Sequence, residues 1–567
     1  MRYWNALAFC RNNLSLQHWT QISLDQFSHA LHCTRRNAQL LIKRLVEEER
    51  IEWQSGVGRG NLPQAKLKQP LDGLLKQKAT SLLKQGNVEA ALVLVDAQER
   101  EGFLSQYLSQ YQPVKTQQDI LQIPFYRGTH CLDPVKINRR TELHIASYLY
   151  ANLIRTQPTL HGDLAHSWQQ RDDSLTITLR KGLKFDDGSP LRAKDVKAHF
   201  QRLMEQGGAQ VELFRFVDKV EVINPLRIRF TSHTMPSLLP RLLSHSAMGI
   251  TKVKDGKLLG SGSFLLSEQT EWRTLLSINP HYHGLRPWVD GVEIWNVGDN
   301  AKTLEFNCDI VHGHHLSDQL NADFTAKQKW EQGCTYAMLN PHNHPWMRNR
   351  VHRKWIQKLL LSMGRPSENQ CEVVARAKGM LSSPTSVSEK DLSNARQALT
   401  ELNGPLKPLI VLTYQLGTNI ATAQLVTDCL KQLDVDCRLH VLEYPEFNQP
   451  ETFNKADIVI SGEVFGEDTL FSWVDWLVCN YCHQVCLSDK NKLWLEQKVI
   501  EAMSEPTEST QLKMLEKIEK QLITKNLYQP LFHTMQDLNV SDEISAPDQL
   551  ANGWIDFNQI VMNQSTK

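Results

Sequence analysis

The chain has 567 residues, of which 41% are hydrophobic and 22% charged, and its formal net charge is +1. These proportions are ordinary for globular proteins and exclude a disordered or collagen-like chain, and the length predicts about three or four domain-sized units. The near-zero charge also excludes nucleic-acid binding through overall basicity, so any such contact requires a local concentration of cations.

The N-terminal residues and the hydrophobic runs predict the compartment. The first 19 residues, MRYWNALAFCRNNLSLQHW, lack the basic segment, long apolar segment and small-residue cleavage site of a secretory signal. No stretch reaches the roughly 20 apolar residues that a membrane span requires. We therefore expect a cytoplasmic protein without a membrane partner, and we expect its 11 cysteines to be mostly reduced and buried.

Residues 23–61 predict a winged helix-turn-helix domain. Two helical patterns are separated by residues 33–37 and followed by a strand pattern and a Gly-rich tip at 55–61. In the second helix, apolar residues at intervals of three and four predict a buried stripe of Ala38, Leu41, Ile42 and Leu45. Thr34 has the chemistry of an N-cap. The pattern predicts a recognition helix whose N-terminal end enters the major groove of DNA.

The opposite face of this helix carries the predicted DNA contacts. Residues 34–46 contain four cations and no acid. We predict groove or base contacts from Arg36, Gln39 and Lys43, and phosphate contacts from other arginines that include Arg59 in the wing. The full predicted set is Arg35, Arg36, Asn37, Gln39, Lys43, Arg44 and Arg59. Leu40, on or near this face, would touch a thymine methyl group or a partner helix.

The alternative interpretation of the N-terminal region is a small helical module that binds another protein. In that case the charged face is only a solvated surface, because short sequence motifs often match by chance. The two interpretations differ in whether the exposed cations contact DNA.

Residues 64–115 predict a helical connector between this head and the rest of the chain. Leucines recur there at helical spacing, and Gly86 and Asn87 mark a break between two helices. After residue 113 the pattern changes to mixed α/β. We therefore divide the chain into a winged helix-turn-helix head at 1–63, a helical connector at 64–115 and a ligand-sensing body at 116–567.

Alternating strand and helix patterns predict that the body is α/β. Strands are predicted at 123–126, 175–180, 408–414 and 456–461, and helices at 142–154, 195–204 and 418–433. The last two strands are apolar and β-branched and enclose an amphipathic stretch, which is the pattern of a βαβ unit.

Several segments of the body resemble, in order, the signature of the family 5 extracellular solute-binding proteins, the oligopeptide- and dipeptide-binding group. These segments lie at 132–134, 148–153, 163–168, 175–188, 193–196, 260–264, 279–284 and 289–293. The resemblance covers about residues 119–545. It implies a bilobed body of the type II periplasmic-binding-protein architecture that closes around a small solute.

A body of this kind behind a DNA-binding head is similar in layout to the SgrR family of bacterial transcriptional regulators, known for the response to sugar-phosphate stress. The Cys-Thr-Arg-Arg turn at 33–36 and the Gly-Arg-Gly wing at 58–60 also resemble that family. The resemblance implies a regulator that binds double-stranded promoter DNA, responds to a small solute such as a sugar phosphate, and alters its DNA affinity or its contacts with RNA polymerase. The rival interpretation is a solute- or peptide-binding protein whose head docks onto another protein.

The resemblance also implies the ligand contacts. Peptide binders of family 5 hold the ligand's amino group with an aspartate in a loop after a late strand. The corresponding loop here is predicted at 462–468, with Glu463 in the place of the aspartate. The implied ligand-binding residues are Glu463, Phe465, Glu467 and Asp468. Such an acidic loop would repel a sugar phosphate unless Arg or Lys side chains from another lobe offset its negative charge. The alternative interpretation is a solvated loop that does not contact the ligand.

No catalytic motif, cofactor or metal site is predicted. The chain contains neither Gly-x-x-x-x-Gly-Lys-[Ser/Thr] nor Gly-x-Ser-x-Gly, so we expect no enzyme, and a hydrolase is the disfavoured third alternative. Cys479, Cys482, His483 and Cys486 lie close together in sequence, but their spacing matches no reliable zinc pattern. We interpret the three cysteines as buried thiols.

Overall fold

We describe a computed structural model over residues 1–56, 62–110, 118–125, 128–137, 139–156, 159–297, 308–312, 324–366, 374–402 and 404–563. The predicted wing tip with Arg59 lies outside these residues.

The head is a winged helix-turn-helix domain, as predicted. Its elements are α1 (Arg2–Asn13), β1 (Thr20–Gln21), α2 (Leu24–Ala30), α3 (Arg35–Glu47), β2 (Ile51–Gln54) and β3 (Gln64–Leu67). The strands form an antiparallel sheet in the order β1-β3-β2. Because β3 pairs with both other strands, the sheet of the head continues to Leu67, past the predicted boundary at residue 63.

Side-chain caps set the starts of the two central helices of the head. Ser23 and Gln26 form a reciprocal capping box at the start of α2, with hydrogen bonds of 3.1 and 2.8 Å. The Thr34 hydroxyl accepts a hydrogen bond from the Asn37 backbone N–H over 3.4 Å at the start of α3. Local sequence signals therefore position the recognition helix.

The connector is helical and packs against both the head and the body. It contains α4 (Asp72–Leu83), α5 (Val88–Leu92) and α6 (Arg100–Gln110). The predicted break is present, and Gly86 adopts a φ of +77°, which favours glycine. One buried apolar cluster contains Leu7 and Leu45 of the head, Leu75 of the connector and Trp272 and Trp295 of the body.

The first part of the body contains two antiparallel-rich sheets and their helices. The elements are β4 (Ile120–Phe125), α7 (Arg140–Leu149), β5 (Ile154–Arg155), β6 (His161–Gly162), β7 (Ala165–Arg171), β8 (Ser174–Leu179), α8 (Ala193–Gln206), α9 (Val211–Phe214), β9 (Lys219–Asn224), β10 (Arg227–Thr231), α10 (Leu239–Leu242), β11 (Lys252–Lys254), β12 (Lys257–Leu259), β13 (Phe264–Gln269), β14 (Arg273–Ile278), β15 (Gly291–Asn296), β16 (Ile310–His312) and β17 (Phe324–Trp330). The sheets have the orders β13-β14-β15-β4 and β7-β8-β10-β9.

The helix predicted at 142–154 is shorter than expected. It ends at Leu149, and Ile154 belongs to a short strand. The Leu149 carbonyl accepts a hydrogen bond from the Gly262 N–H over 3.0 Å, and the Ala151 carbonyl accepts one from Ile250 over 2.9 Å. These tertiary hydrogen bonds satisfy the backbone in an extended conformation, so the helix does not continue.

The second part of the body contains a mixed sheet flanked by helices. Its elements are β18 (Gly333–Leu339), α11 (Pro345–Arg348), α12 (Arg350–Leu361), β19 (Val374–Arg376), α13 (Ser393–Thr400), β20 (Leu409–Tyr414), α14 (Gly417–Gln432), β21 (Cys437–Leu442), α15 (Pro450–Phe453), β22 (Ile458–Val464), α16 (Thr469–Cys479), α17 (Tyr481–Cys486), α18 (Asp489–Met503), α19 (Glu508–Thr524), β23 (Tyr528–Ser541), β24 (Ile544–Ser545) and β25 (Val561–Met562). Short 3-10 turns lie at Ala97–Glu99, Pro236–Leu238, Ser246–Met248, Glu446–Asn448 and Phe557–Gln559. β20 is parallel to both β21 and β22, which confirms the predicted βαβ unit and adds β21 to it.

Strand β23 joins two lobes. Its first half pairs with β18, and its second half pairs with β17, where Trp330 lies opposite Met535. We call the described parts of 118–330 and 535–563 lobe one, and those of 333–532 lobe two. The chain crosses between the lobes at residues 331–332 and 533–534. At this crossing Glu331 pairs with Arg140 of α7 over 2.8 Å and accepts a hydrogen bond from Thr534 over 3.1 Å.

Candidate DNA-binding face and ligand cleft

The recognition helix α3 buries one face and exposes the other. Ala38, Ile42 and Leu45 are buried, and α3 packs against α1 and α2, while Leu41 is only partly buried. The side chains of Arg36, Gln39, Leu40 and Lys43 are exposed on the remaining face. The helix therefore presents to solvent the residues from which we predict groove contacts.

Three of the four cations of α3 are paired with acids that lie outside the 34–46 window. The ion pairs join Arg35 to Asp25 over 2.7 Å, Lys43 to Glu47 over 3.8 Å and Arg44 to Glu48 over 2.7 Å. Because these side chains are largely exposed, each pair contributes little and can exchange its carboxylate for a phosphate. Arg36 forms no ion pair within the described part of the chain.

Arg44 and Asn37 have additional structural roles. The Arg44 guanidinium lies 4.2 Å from the centre of the Tyr3 ring of α1. Hydrogen bonds from Tyr3 and Arg44 lower the pKa of Glu48. The exposed side chain of Asn37 lies in the first turn of α3, beside the Thr34 cap.

Polar contacts link the head, the connector and lobe one in series. Arg11 of α1 donates a hydrogen bond to the Leu94 carbonyl oxygen over 3.1 Å and pairs with Asp72 over 3.6 Å. Arg273 of lobe one donates to the Gly86 carbonyl oxygen over 3.2 Å. Helix α1 and lobe one therefore both make polar contacts with the same connector.

A cleft of about 690 Å³ lies between the lobes. Lobe one contributes α7 and the segment around Asp163, and lobe two contributes the end of β22 and helices α16 and α17. Aromatic side chains on its walls include Tyr414, Tyr444, Trp476 and Tyr481. A volume of this size suits a small solute.

All four predicted ligand residues line this cleft, but the predicted loop is partly a strand. Glu463 belongs to β22 and lies opposite Cys334 of β18, because the pairing with β18 continues to Val464. Phe465 is buried with its ring centre 5.0 Å from that of Trp473. The segment is therefore held by the sheet and is not a free loop.

The other two acids of this segment have structural partners. Glu467 accepts a hydrogen bond from the Ala551 N–H over 2.6 Å. Asp468 caps α16 by accepting from the Phe471 N–H over 3.0 Å and pairs with Arg241 of lobe one over 2.8 Å. Both side chains therefore connect the cleft wall of lobe two to lobe one.

Glu463 lines the cleft and forms no ion pair among the described residues, although the charge of Arg140 acts on it at longer range. Burial and then the negative charge of Asp475 raise the pKa of Glu463 to about 7. The Asn480 side-chain amide donates to its carboxylate over 3.4 Å. Asp475 differs because burial, which raises its pKa, is outweighed by the interaction with the His245 ring 3.6 Å away, so that the pKa of Asp475 is lowered.

The arginines of the cleft, which the sequence alone did not reveal, come from lobe one. The ion pairs join Arg139 to Glu142 over 2.9 Å, Arg140 to Glu331 over 2.8 Å and Arg155 to Asp163 over 2.8 Å. Asp163, the partner of Arg155, lies in the segment 163–168, on which the resemblance to family 5 partly rests. That resemblance was the sequence signal that could have pointed to these arginines. Every arginine on the described walls of the cleft therefore has a carboxylate partner.

The cysteines of α16 and α17 are buried thiols. Burial raises the pKa of Cys479, Cys482 and Cys486, the last to about 12. Protonated thiols are poor metal ligands and poor nucleophiles. Within the residues described here, no group of three or more His, Cys, Asp or Glu side chains is placed to hold a metal ion.

Two sequence families match successive parts of this chain. Residues 159–477, more than half of the chain, match the bacterial extracellular solute-binding proteins, family 5, middle region. The chain belongs to this family. Residues 7–119, in front of the family 5 body, match the N-terminal region of the sugar transport-related sRNA regulators.

The relatives agree with both assignments. The HTH-type transcriptional regulator SgrR of Yersinia enterocolitica is 25% identical over 560 residues, which cover 95% of this chain and 94% of the relative. The SgrR protein of Photorhabdus laumondii is 23% identical over 567 residues, covering 96% and 95%. This confirms the resemblance to the SgrR family predicted from the sequence. Neither relative is named as an enzyme.

Solved structures show the fold of the family 5 body. The murein tripeptide binding protein MppA of Escherichia coli superposes with a TM-score of 0.64 at 15% identity, covering 79% of this chain and 99% of that protein. The likeness confirms the predicted bilobed architecture. Where the structure describes the family 5 body, the connector and the head, every helix is too short or too polar to span a bilayer.

Proposed function

We propose that the protein is a cytoplasmic, DNA-binding transcriptional regulator controlled by a small solute in the cleft of its family 5 body. The observation that carries this proposal is the single buried cluster that joins the winged helix-turn-helix head, the connector and lobe one. A head packed in this way would sense the position of lobe one. The name of the SgrR relatives supports a regulatory output.

The proposed boundaries are a DNA-binding head to about Leu67, a connector to 115 and a ligand-sensing body from 116. We propose DNA contacts from the predicted residues Arg35, Arg36, Asn37, Gln39, Lys43, Arg44 and Arg59. Arg36 has no ion pair among the described residues, and this, together with the exposure of Gln39 and Lys43, supports groove contacts. Solute binding would change the affinity for promoter DNA or the contact with RNA polymerase, provided that the solute binds one lobe arrangement better than the other.

Glu463, Phe465, Glu467 and Asp468 are the proposed ligand contacts of lobe two. Two ligand classes have specific support. The description of the N-terminal family, sugar transport-related, supports a solute derived from a sugar, of which a sugar phosphate is one. The charges of the cleft support a solute with a cationic group, because a phosphate would have to displace a carboxylate from Arg140 or Arg155, whereas a cation would meet Glu463 directly.

Thermal-shift measurements on the full chain separate these classes. A solute that binds only the folded state raises the unfolding midpoint by mass action. Hexose phosphates, dipeptides and polyamines should be tested in the same buffer, each against its uncharged analogue. A midpoint that rises with the phosphate but not with the free sugar supports the first class, and one that rises with the amine supports the second.

A gel-shift assay with DNA upstream of the gene tests the regulatory proposal itself. We expect a retarded complex that survives excess unrelated DNA and changes in amount when cell-extract metabolites are added. Absence of binding under both conditions would reject DNA regulation and favour the rival, a solute-binding protein with a protein-docking head.

A further inference from the structure

We propose that Leu40 selects operator sequence by packing against the 5-methyl group of a thymine in the major groove. The inference rests on the proposed DNA-binding function and adds to it a specific apolar base contact.

Leu40 occupies the middle of the exposed face of the recognition helix. Its side chain is 60% exposed although α3 buries three other apolar residues. Arg36 precedes it by four positions and Lys43 follows it by three, so the three side chains form one line along the helix. A DNA duplex that contacts both Arg36 and Lys43 therefore also contacts Leu40, which lies between them.

The chemistry of the groove limits what Leu40 can contact there. Among base edges, the major groove offers one apolar group, the thymine methyl, while the other positions present hydrogen-bond donors and acceptors. A leucine pressed against a polar edge would desolvate it without supplying a hydrogen bond, which is unfavourable. A leucine against the methyl removes apolar surface of both partners from water, which is favourable.

The charges around Leu40 favour DNA over a protein as the occupant of this face. Arg36 has no carboxylate partner among the described residues, and the pairs of Lys43 and Arg35 are exposed. A leucine framed by cations matches a polyanion with an apolar spot on its base edges better than it matches the apolar surface of another helix.

Single methyl deletions in the DNA test this inference. The bound site would first be located by footprinting the upstream region with the full chain, and each thymine of the footprint would then be replaced by uracil, one at a time. We expect one or a few positions at which the wild-type protein binds about fourfold more weakly, as the loss of one buried methyl group predicts. The Leu40→Ala variant should bind the thymine and uracil duplexes equally.

Val46→Ala is the matched control. Val46 is an exposed aliphatic residue of the same helix, 40% exposed, and lies about 120° around the helix axis from Leu40. This variant should keep the full thymine preference. Because Leu40 is exposed, Leu40→Ala should also unfold at the wild-type temperature, which shows that any lost preference is not a folding defect.

Four results would overturn the inference, and they are distinguishable. Selective binding without any sensitive thymine, or a thymine preference that persists in Leu40→Ala, rejects the contact but leaves the DNA-binding function intact. Unchanged DNA affinity together with lost self-association in Leu40→Ala, measured by sedimentation, assigns the leucine to a protein contact. Failure of the wild-type chain to bind any duplex selectively rejects the proposed function as well.

Discussion

The Arg273 guanidinium of lobe one donates a hydrogen bond to the Gly86 carbonyl oxygen of the connector, over 3.2 Å. The same side chain pairs with Glu268 and Glu293 on the strands beside it. Arg273 therefore ties the sheet of lobe one to the bend between α4 and α5. This contact is a direct polar link between the family 5 body and the connector, which packs against the head.

Arg273→Lys should weaken communication between ligand and DNA. Lysine retains a positive charge for the two glutamates, but its single ammonium group cannot also reach Gly86. We expect ligand affinity and ligand-free DNA affinity to stay within about twofold of wild type, and the effect of ligand on DNA affinity to fall by about threefold. Fluorescence anisotropy with and without ligand measures this. The control is Arg286→Lys, which alters an exposed arginine paired with Asp290, and equal coupling in all three proteins would contradict the role of Arg273.

Arg36→Ala should weaken DNA binding. Arg36 is the exposed α3 cation that has no carboxylate partner in the part of the chain that the structure describes. Its loss therefore removes a proposed DNA contact without leaving an acid unpaired. We expect affinity to fall at least about fivefold. A drop in the salt slope by about one, uniform across sequences, identifies a phosphate contact, and a sequence-selective loss identifies a base contact. Arg348→Ala, at an exposed arginine of lobe two, controls for net charge and should bind like wild type.

Asp468→Asn should weaken the contact between the two lobes. Asparagine can still cap α16, but it loses the charge that pairs with Arg241 across the lobes. The net contribution of such a bond is about 1 kcal/mol, so we expect roughly fivefold weaker ligand binding and a larger radius of gyration by small-angle scattering. Asp391→Asn removes a charge from an exposed turn in lobe two and should change neither quantity. Unchanged scattering and affinity in Asp468→Asn would show that the pair does not hold the lobes.

Glu463→Gln should stabilise the ligand-free protein at neutral and alkaline pH but not near pH 4.5. The pKa of Glu463 is about 7 in the folded protein against an ordinary 4.5. The folded state therefore binds this proton more tightly, and the wild type loses stability as pH rises from about 4.5 to about 7, with no further loss above that. Glutamine mimics the protonated acid, so the variant should match wild type near pH 4.5 and exceed it by about 1–3 kcal/mol at pH 8. Urea unfolding at both pH values measures this.

Glu467→Gln is the control for this variant. It makes the same carboxylate-to-amide change in the same segment but at a different residue. A Glu463→Gln variant that gains no stability at pH 8 would contradict the raised pKa and the burial that causes it.

The sequence predicted those features of the head that depend on near neighbours. Thr34 caps α3, and Ala38, Ile42 and Leu45 are buried, because N-caps and helical periodicity act within one or two turns. The pairing of Arg35 with Asp25 across the turn was not predicted, because Asp25 lies ten residues earlier, outside the window 34–46. A short stretch of sequence does not show which acids from elsewhere in the chain the fold places beside its cations.

The cleft was predictable only in part, for the same physical reason. Resemblance to family 5 placed Glu463 on its wall, but pairing with β18, more than a hundred residues away, makes that position a strand. The pairing of Arg241 with Asp468 joins the two lobes, and the pairing of Arg140 with Glu331 ties lobe one to the crossing between them. Such contacts form only when the chain has folded into two lobes, and no local sequence pattern predicts them.

The most direct test of the central claim is the DNA affinity of the full chain with and without a solute found by thermal shift. Fluorescence anisotropy with the footprinted upstream duplex gives Kd at saturating and at zero solute, with an inactive analogue as control. A solute-controlled regulator predicts a change in Kd of about fivefold or more, absent with the analogue. Identical Kd values with and without a bound solute would contradict control of DNA affinity by the body.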